Sequence, residues 1–394
     1  MSIKETLKKI SLINDLNAAF KARCQERLAR IELQHYWGMA ERAGIKILDK
    51  TQIAVALRAR FAARGISVTA KPVGQLNLYF VCGINNWEAA LPIALCKFGT
   101  VHLFDWRAQG FDLQDKQHQK ERAALNRALL IDLRQAHKQH RIDLLIGYFT
   151  DKVILPETLM EISRLGIPLC NFDLDDKLWF KNVKNLVSAI DLNLTNAPEC
   201  LVKYFACGGL AMFWPEAADP EIHKAYDVPF KYDVSFVGKK YGYRPKFIER
   251  LRQRGIMIKT FGEGWGGERL TNDAVIKLYS ESRINLGFGG VGHSHQVFCL
   301  KGRDFEVPMS SGLYLTQDNP ELALVYKIGE EILTYHDATD CANIIQHYLN
   351  HPEDAAKVRN AGYERAFREH KWEDRFRDLF CLMGSINLCT RLKY

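Results

Sequence analysis

The C-terminal half of the chain has three places where a short apolar run ends in glycine and polar groups follow. Gly238 leads to Lys239, Lys240, Tyr241 and Arg244, and Gly262 leads to Glu263, Gly264 and Trp265. Gly289, Gly290 and Gly292 lead to His293, Ser294 and His295. Glycine lets a backbone approach a ligand closely, and its amides cradle phosphate oxygens. Lysine and arginine neutralise a diphosphate. One such glycine means little, but three in one half, flanked by cations and an indole, predict a nucleotide site. His293 and His295 are candidates for contact with phosphate or sugar; as a metal pair they lack a third ligand.

Gly287-Phe-Gly289-Gly-Val-Gly292 also satisfies G-x-G-x-x-G, with Glu306 19 residues past its first glycine. The dinucleotide fingerprint opens a helix directly after the first strand of a fold. Here the motif follows a late strand and no clear helix comes next, so NAD and FAD are not expected. Glu306 instead begins the stretch Glu306-Val-Pro-Met-Ser-Ser311-Gly312, which leads into the run LYLT. A carboxylate there would accept hydrogen bonds from both hydroxyls of a ribose, or simply cap a short helix.

The N-terminal half presents carboxylates after its own apolar runs, among them Glu88, Asp173, Asp175 and Asp176. Where an acceptor hydroxyl must lose its proton, Glu88 and Asp175 are the candidates for general base; the bland alternative is solvated helix-capping carboxylates. Asp173-Leu-Asp175 is weak evidence for a metal on its own. No G-x-S-x-G or cysteine–histidine signature suggests hydrolysis.

The elements that position these groups alternate. Strands are predicted at 76–82, 100–104, 143–149, 167–172, 191–195 and 211–214, with helices between them, including a long charged one over about 115–140. The segment 215–231, with Pro215, Pro220 and Pro229, breaks the pattern. Strands then resume at 232–237, 257–261, 283–288 and 313–316. Such alternation predicts two parallel α/β units, whose ligands bind beyond the carboxyl ends of the strands. The expected division is a helical segment at 1–64, a Rossmann-like domain at 65–215, a linker at 216–231, a second Rossmann-like domain at 232–378, and a tail at 379–394.

Bulk composition agrees with a globular protein. The chain has 394 residues, enough for two domains, with 47% hydrophobic and 25% charged residues. No apolar run is long enough to span a membrane, and the start shows no signal peptide. Of the ten cysteines, Cys82, Cys96, Cys170 and Cys299 sit in or beside apolar runs, and no two form a C-x-x-C pair, which predicts a reduced, cytoplasmic protein. Of the net charge of +8, residues 1–64 hold a surplus of seven (13 Lys and Arg against 6 Asp and Glu). A basic helix followed by a near-neutral body is not the pattern of a nucleic-acid-binding protein. Its apolar face, from Ile3 through Phe20 to Leu33, would pack on the following domain, while Lys4, Lys8, Lys21, Arg23, Arg27 and Arg30 are solvated. Alternatively, residues 1–40 would lie on an anionic membrane surface.

The stretch from Tyr232 to Arg377 resembles the spore-maturation (CgeB-like) glycosyltransferases, relatives of the group-1 enzymes of the GT-B fold. The pieces that carry the likeness are DVSFVG with Arg244 downstream, FGEGW at 261–265, SRINLGF at 282–288 and LKGRDFEVPMSSGLYLT at 300–316. GIPLCNFDLDD and the run from DLNLTNAPECL to WPEAADP extend it into the N-terminal half. The resemblance implies two Rossmann-like domains with parallel sheets facing a central cleft, the first being the acceptor domain and the second the nucleotide-sugar domain. It also implies transfer of a sugar from a nucleoside diphosphate sugar to a hydroxyl on a glycan, lipid-linked glycan or protein. No cofactor or metal is expected, and retention of configuration is taken ahead of inversion. Glu306 becomes the ribose-binding carboxylate, with Lys239, Arg244 and Arg303 on the diphosphate. The loop of Gly262, Glu263 and Trp265 takes the base, and Gly238, Gly290, His293, Ser311 and Gly312 complete the donor site. The group-1 enzymes carry another glutamate eight residues before the ribose-binding one; here that position is Phe298. A sugar-nucleotide epimerase and a non-catalytic binding protein on the same fold are the alternatives.

Overall fold

The structure, a computed structural model, describes residues 3–84, 87–111, 118–266, 269–294 and 296–387, with only the helical backbone for 3–16. The chain divides into two compact units: residues 33–215 with 372–394, and residues 1–32 with 216–371.

Helix α1 (Ile3–Ala43) ends at Gly44, and α2 (Lys50–Ala63) begins at a capping box in which Asp49 and Gln52 each accept the other's backbone N–H. The first unit then runs β1 (Leu76–Cys82), α3 (Ala90–Cys96), β2 (Gly99–Asp105), α4 (His118–Gln139), β3 (Leu144–Gly147) and α5 (Pro156–Arg164). It continues with β4 (Leu169–Asp173), α6 (Asp176–Trp179), β5 (Leu192–Thr195), α7 (Leu201–Ala206) and β6 (Ala211–Phe213). These six strands form one parallel sheet in the order β2-β1-β3-β4-β5-β6. The order reverses direction between β1 and β3, which opens a crevice at their carboxyl ends. Leu78 through Cys82 are fully buried, as a strand covered on both faces requires.

The second unit runs β7 (Tyr232–Val237), α8 (Arg244–Gln253), β8 (Ile258–Phe261), α9 (Asn272–Glu281), β9 (Ser282–Leu286), α10 (Gly302–Met309) and β10 (Tyr314–Gln317). It closes with β11 (Leu333–Tyr335), α11 (Ala338–Asn350) and α12 (Pro352–Glu369). Its five parallel strands lie in the order β11-β10-β9-β7-β8, so the switch point falls between β7 and β9. Its core packs Phe236, Phe247, Phe288 and Tyr335 edge to face or tilted, with ring centroids 4.9–6.5 Å apart.

Two boundaries differ from the sequence reading. Residues 216–231 have no regular element, but 216–230 lie with the second unit, where Ala218 N–H donates to the His370 carbonyl at 3.0 Å. The final helix, α13 (Trp372–Met383), belongs to the first unit, not to the end of the second. Trp372, Phe376 and Phe380 recur on one helical face; the first two meet the Trp214 ring and the third lies 4.9 Å from Phe98. Among the described residues no helix is long and apolar enough to cross a membrane.

Candidate functional site

The nucleotide-site candidates of the second unit collect at the carboxyl ends of its central strands. β7 ends at Val237, beside Phe261 of β8, and the glycines that follow let the two strand ends lock together. Gly262 has φ +110, and a Cβ on it would stand 2.7 Å from the Gly238 carbonyl oxygen. The indole N–H of Trp265 donates to that same carbonyl at 2.9 Å, and Lys240 N–H donates to the Glu263 carbonyl at 2.8 Å. The Lys240 ammonium lies 5.3 Å above the Trp265 ring. Lys239, expected on a diphosphate, pairs with Glu263 at 2.7 Å, with both side chains largely in solvent.

Arg244 is the first residue of α8 and is buried. Its guanidinium stacks 4.3 Å over the Tyr241 ring, and Phe236 and Phe288 sit 5.7 Å away on the sheet side. Its Nη1 donates to the Lys239 carbonyl at 3.1 Å. Burial, and then the neighbouring Arg303 guanidinium, pull its pKa below the usual arginine range. Arg303, in the first turn of α10, has its Nε–H buried without an acceptor. Burial acts to lower its pKa, but Tyr314, Tyr279, Glu306 and Asp304 outweigh that and raise it. Two guanidiniums held close at the switch point of a parallel sheet repel each other until an anion lies between them.

Glu306 lies one turn further along α10, with its Oε1 3.8 Å from His223 Nε2 and packed over Gly302. A Cβ on Gly302 would approach that oxygen to 2.8 Å, so a larger residue there would shift the Glu306 carboxylate. His223 Nδ1 lies against the backbone of Asp219, 3.0 Å from its amide nitrogen and 3.2 Å from its carbonyl oxygen, which turns Nε2 toward Glu306. Asp304 caps α10 by accepting from Lys301 N–H at 2.8 Å, and burial pushes its pKa up to about 6.

The 287–294 loop forms the remaining wall. Gly290 is packed so closely that a Cβ would stand 2.3 Å from the Ser294 carbonyl oxygen and 3.0 Å from the Tyr243 ring. The His293 ring lies 6.3 Å from Tyr241, and its Nδ1 is buried without a partner. No helix follows the G-x-G-x-x-G run before α10 among the described residues, as the sequence reading expected. His295 lies outside the described residues.

Ser311 and Gly312 are not part of this group. α10 runs back across the sheet, so both stand at the amino end of β10, away from the carboxyl-end residues. Ser311 takes the left-handed conformation (φ 55) after the helix, and a Cβ on Gly312 would stand 2.8 Å from Asn285 Nδ2. Their glycine and serine serve chain reversal and packing. The sequence reading named Tyr241 after Gly238 without giving it a role, and missed Tyr243, His223 and Gln317. Tyr243 OH donates to Gln317 Oε1 at 2.6 Å at the end of β10. Tyr241 follows a strand-end glycine and Gln317 ends the run LYLTQ, signals that were available in the sequence.

In the first unit, Glu88 lies in a 3-10 turn (Trp87–Ala89) after β1, and Asp175 precedes α6 after β4. β3 separates those strands, so the two carboxylates follow strands about 10 Å apart. Asp173 stands out more. Its Oδ2 is buried without a hydrogen-bond partner, while Oδ1 accepts from Asp175 N–H at 3.4 Å. Burial first, then Asp176 and Asp175, hold its pKa well above the ordinary carboxylate range. Asp176 accepts from Thr195 Oγ1 at 2.5 Å and Tyr204 OH at 2.9 Å, and burial pushes its pKa up to about 6. Among the described residues no group of three or more His, Cys, Asp or Glu side chains is placed to hold a metal.

Comparison with known proteins bears on the class of fold. A family profile described as glycosyl transferase-like matches residues 244–380, which include Arg244, Arg303 and Glu306. No curated protein sequence matches the chain. Among solved structures, a sucrose-phosphate synthase from Thermosynechococcus elongatus superposes with a TM-score of 0.52 at 13% identity, over 78% of this chain and 99% of that one. Anabaena HepE in complex with UDP-glucose gives 0.53 at 12% identity, over 77% and 98%. A UDP-N-acetylglucosamine 2-epimerase gives 0.50 at 11%, over 82% and 100%. These likenesses establish the class of fold: two parallel-sheet Rossmann-like units of the kind found in GT-B glycosyltransferases.

Proposed function

We propose that the chain is a glycosyltransferase that takes a sugar from a nucleoside diphosphate sugar and places it on an acceptor hydroxyl. The observation that carries this reading is the pair of neighbouring guanidiniums, buried Arg244 and half-buried Arg303, at the β7/β9 switch point, with Glu306 on the same helix as Arg303. The guanidiniums bind the diphosphate and stabilise the charge it gains as a leaving group. Glu306, beside His223, accepts from the ribose hydroxyls, and Trp265 on its glycine loop borders the base. In the transfer the bond between the anomeric carbon and the diphosphate oxygen breaks, and the diphosphate keeps the electron pair. The acceptor oxygen bonds to the anomeric carbon, and its proton passes to a carboxylate or to the departing diphosphate. With two fixed cations at the diphosphate, the reaction proceeds without a metal. Phe298 leaves no second glutamate to hold the sugar; we read the reaction as retaining, with the leaving diphosphate assisting the acceptor. The acceptor is a cell-surface glycan, a lipid-linked glycan or a protein, and the spore-maturation family is the reading for lineage.

The test is a thermal-shift series with UDP, GDP, dTDP, CDP, ADP and NAD, each with and without magnesium. A nucleoside diphosphate at 100 times its dissociation constant raises stability by about 2.7 kcal/mol. A magnesium-independent shift with one diphosphate supports the reading, and UDP is tried first because of the HepE complex. A shift with NAD alone overturns it. Isomerisation of the sugar nucleotide without acceptor would make the chain an epimerase.

A further inference from the structure

Helix α1 has two faces with different fates. At 100° per residue, Ala22, Gln25 and Glu26 fall on one side, and Phe20 and Ile31 fall opposite, with Leu28 beside them. The first side packs on the second unit's own glycine loop. Gln25 Oε1 accepts from His293 N–H at 2.9 Å, Ser294 Oγ donates to Glu26 Oε1 at 2.7 Å, and Ala22 is buried. Among the described residues the other side is left open: Phe20 is 68% exposed, Leu28 65% and Ile31 49%. Scattered exposed apolar residues need no explanation, but three in one stripe on one helix do.

The charges beside the stripe identify what covers it. Arg23, Arg27 and Arg30 are exposed along one flank and Lys21 along the other. The single carboxylate within residues 17–31, Glu26, is turned inward to Ser294, so the outer face carries cations only. A second copy of the helix would bring arginine against arginine. A layer of anionic phospholipid headgroups meets all four cations at once, while Phe20, Leu28 and Ile31 enter the acyl boundary and the arginine stems lie along it.

We infer that residues 20–31 of α1 dock this protein on an anionic lipid surface, through Phe20, Leu28 and Ile31 with Arg23, Arg27 and Arg30. The docked helix carries the 292–294 loop on its opposite face, so the surface that meets lipid and the loop beside Arg244 are held by one rigid element. The inference stands independently of which sugar nucleotide the chain binds.

The experiment is co-sedimentation of the full chain with vesicles of phosphatidylcholine alone and of phosphatidylcholine with an equal amount of phosphatidylglycerol. Binding is expected to the anionic vesicles only and to weaken as salt rises. The triple substitution R23E/R27E/R30E should weaken it by more than ~10-fold, at about one decade or less per charge. F20S/L28S/I31S should do the same at low salt. All six positions face solvent, so the melting midpoint of each variant should match that of the unsubstituted chain. If that midpoint falls in the serine variant, the charge variant decides. Equal binding to neutral and anionic vesicles, no binding to either, or undiminished binding of the charge variant overturns the inference. So does a dimer in light scattering that F20S/L28S/I31S dissolves without any vesicle binding.

Discussion

His223 Nε2 lies 3.8 Å from Glu306 Oε1, while His223 Nδ1 lies 3.0 Å from the Asp219 amide nitrogen and 3.2 Å from the Asp219 carbonyl oxygen. A histidine from a segment without regular structure thus stands beside a carboxylate on α10, at ion-pair rather than hydrogen-bond distance. Glu306→Ala should weaken binding of the nucleoside diphosphate by about 1–3 kcal/mol, because ribose hydroxyls lose a charged acceptor. Unchanged affinity in calorimetry would remove Glu306 from the ribose. His223→Ala should cost less, about 1 kcal/mol, and His223→Gln should restore most of it by presenting an N–H at a similar reach. In the Glu306→Ala background, His223→Ala should add nothing, since its effect passes through the carboxylate.

The Arg244 and Arg303 pair yields a prediction about charge. Arg303→Ala should weaken nucleoside diphosphate binding by about 1.5–3 kcal/mol, and nucleoside binding far less, because the lost bonds go to phosphate. Arg303→Lys should recover only part, since an ammonium lacks the planar fork. Equal losses for nucleoside and diphosphate would show that Arg303 acts elsewhere.

Much of this was legible along the chain, for a physical reason. Leu76–Cys82 was read to the residue because a parallel strand buried on both faces is a continuous apolar run bounded by polar turns. The strand-end glycines led to Arg244 because a parallel sheet gathers its carboxyl ends on one edge, whereas Arg303 came from the family resemblance alone, which also favoured the ribose role of Glu306 over a helix cap. β11 was missed: three residues paired only with β10 leave no periodicity to read. Ser311 and Gly312 were misplaced because sequence spacing does not show that α10 returns to the opposite edge of the sheet. His223 was invisible for a different reason. Its partner lies far along the chain, and only tertiary packing of the proline-rich segment joins them.

Asp176 gives a pH signature. The fold raises its pKa from 3.8 to about 6 through burial, against the hydrogen bonds from Thr195 and Tyr204. The folded chain therefore holds this proton more tightly than the unfolded chain. The stability it contributes is complete below about pH 4 and is lost as pH rises through 6. The difference in unfolding free energy between the unsubstituted protein and Asp176→Asn should fall by about 3 kcal/mol from pH 4 to pH 7. Urea titrations at several pH values measure it. A flat difference would show that Asp176 titrates at its ordinary value.

Asp173 is the carboxyl of the first unit placed to handle a proton. Its Oδ2 is buried and unpartnered at the end of β4, and burial with Asp176 and Asp175 keeps its pKa well above the ordinary range. A carboxylate that binds a proton more readily than usual accepts one from a hydroxyl at lower cost, whereas Asp175 sits on a turn before α6. If the acceptor's proton goes to the protein, Asp173→Asn should lower turnover by about 10²–10⁴-fold with donor affinity unchanged, and Asp175→Asn should lower it far less. Should neither substitution slow transfer, the proton goes to the departing diphosphate, as a retaining reaction assisted by its leaving group requires. Rates of nucleoside diphosphate release with acceptor present distinguish the two. The pH dependence of turnover supplies a second reading: an Asp173 base gives an acid limb above the usual aspartate range, which Asp173→Asn abolishes.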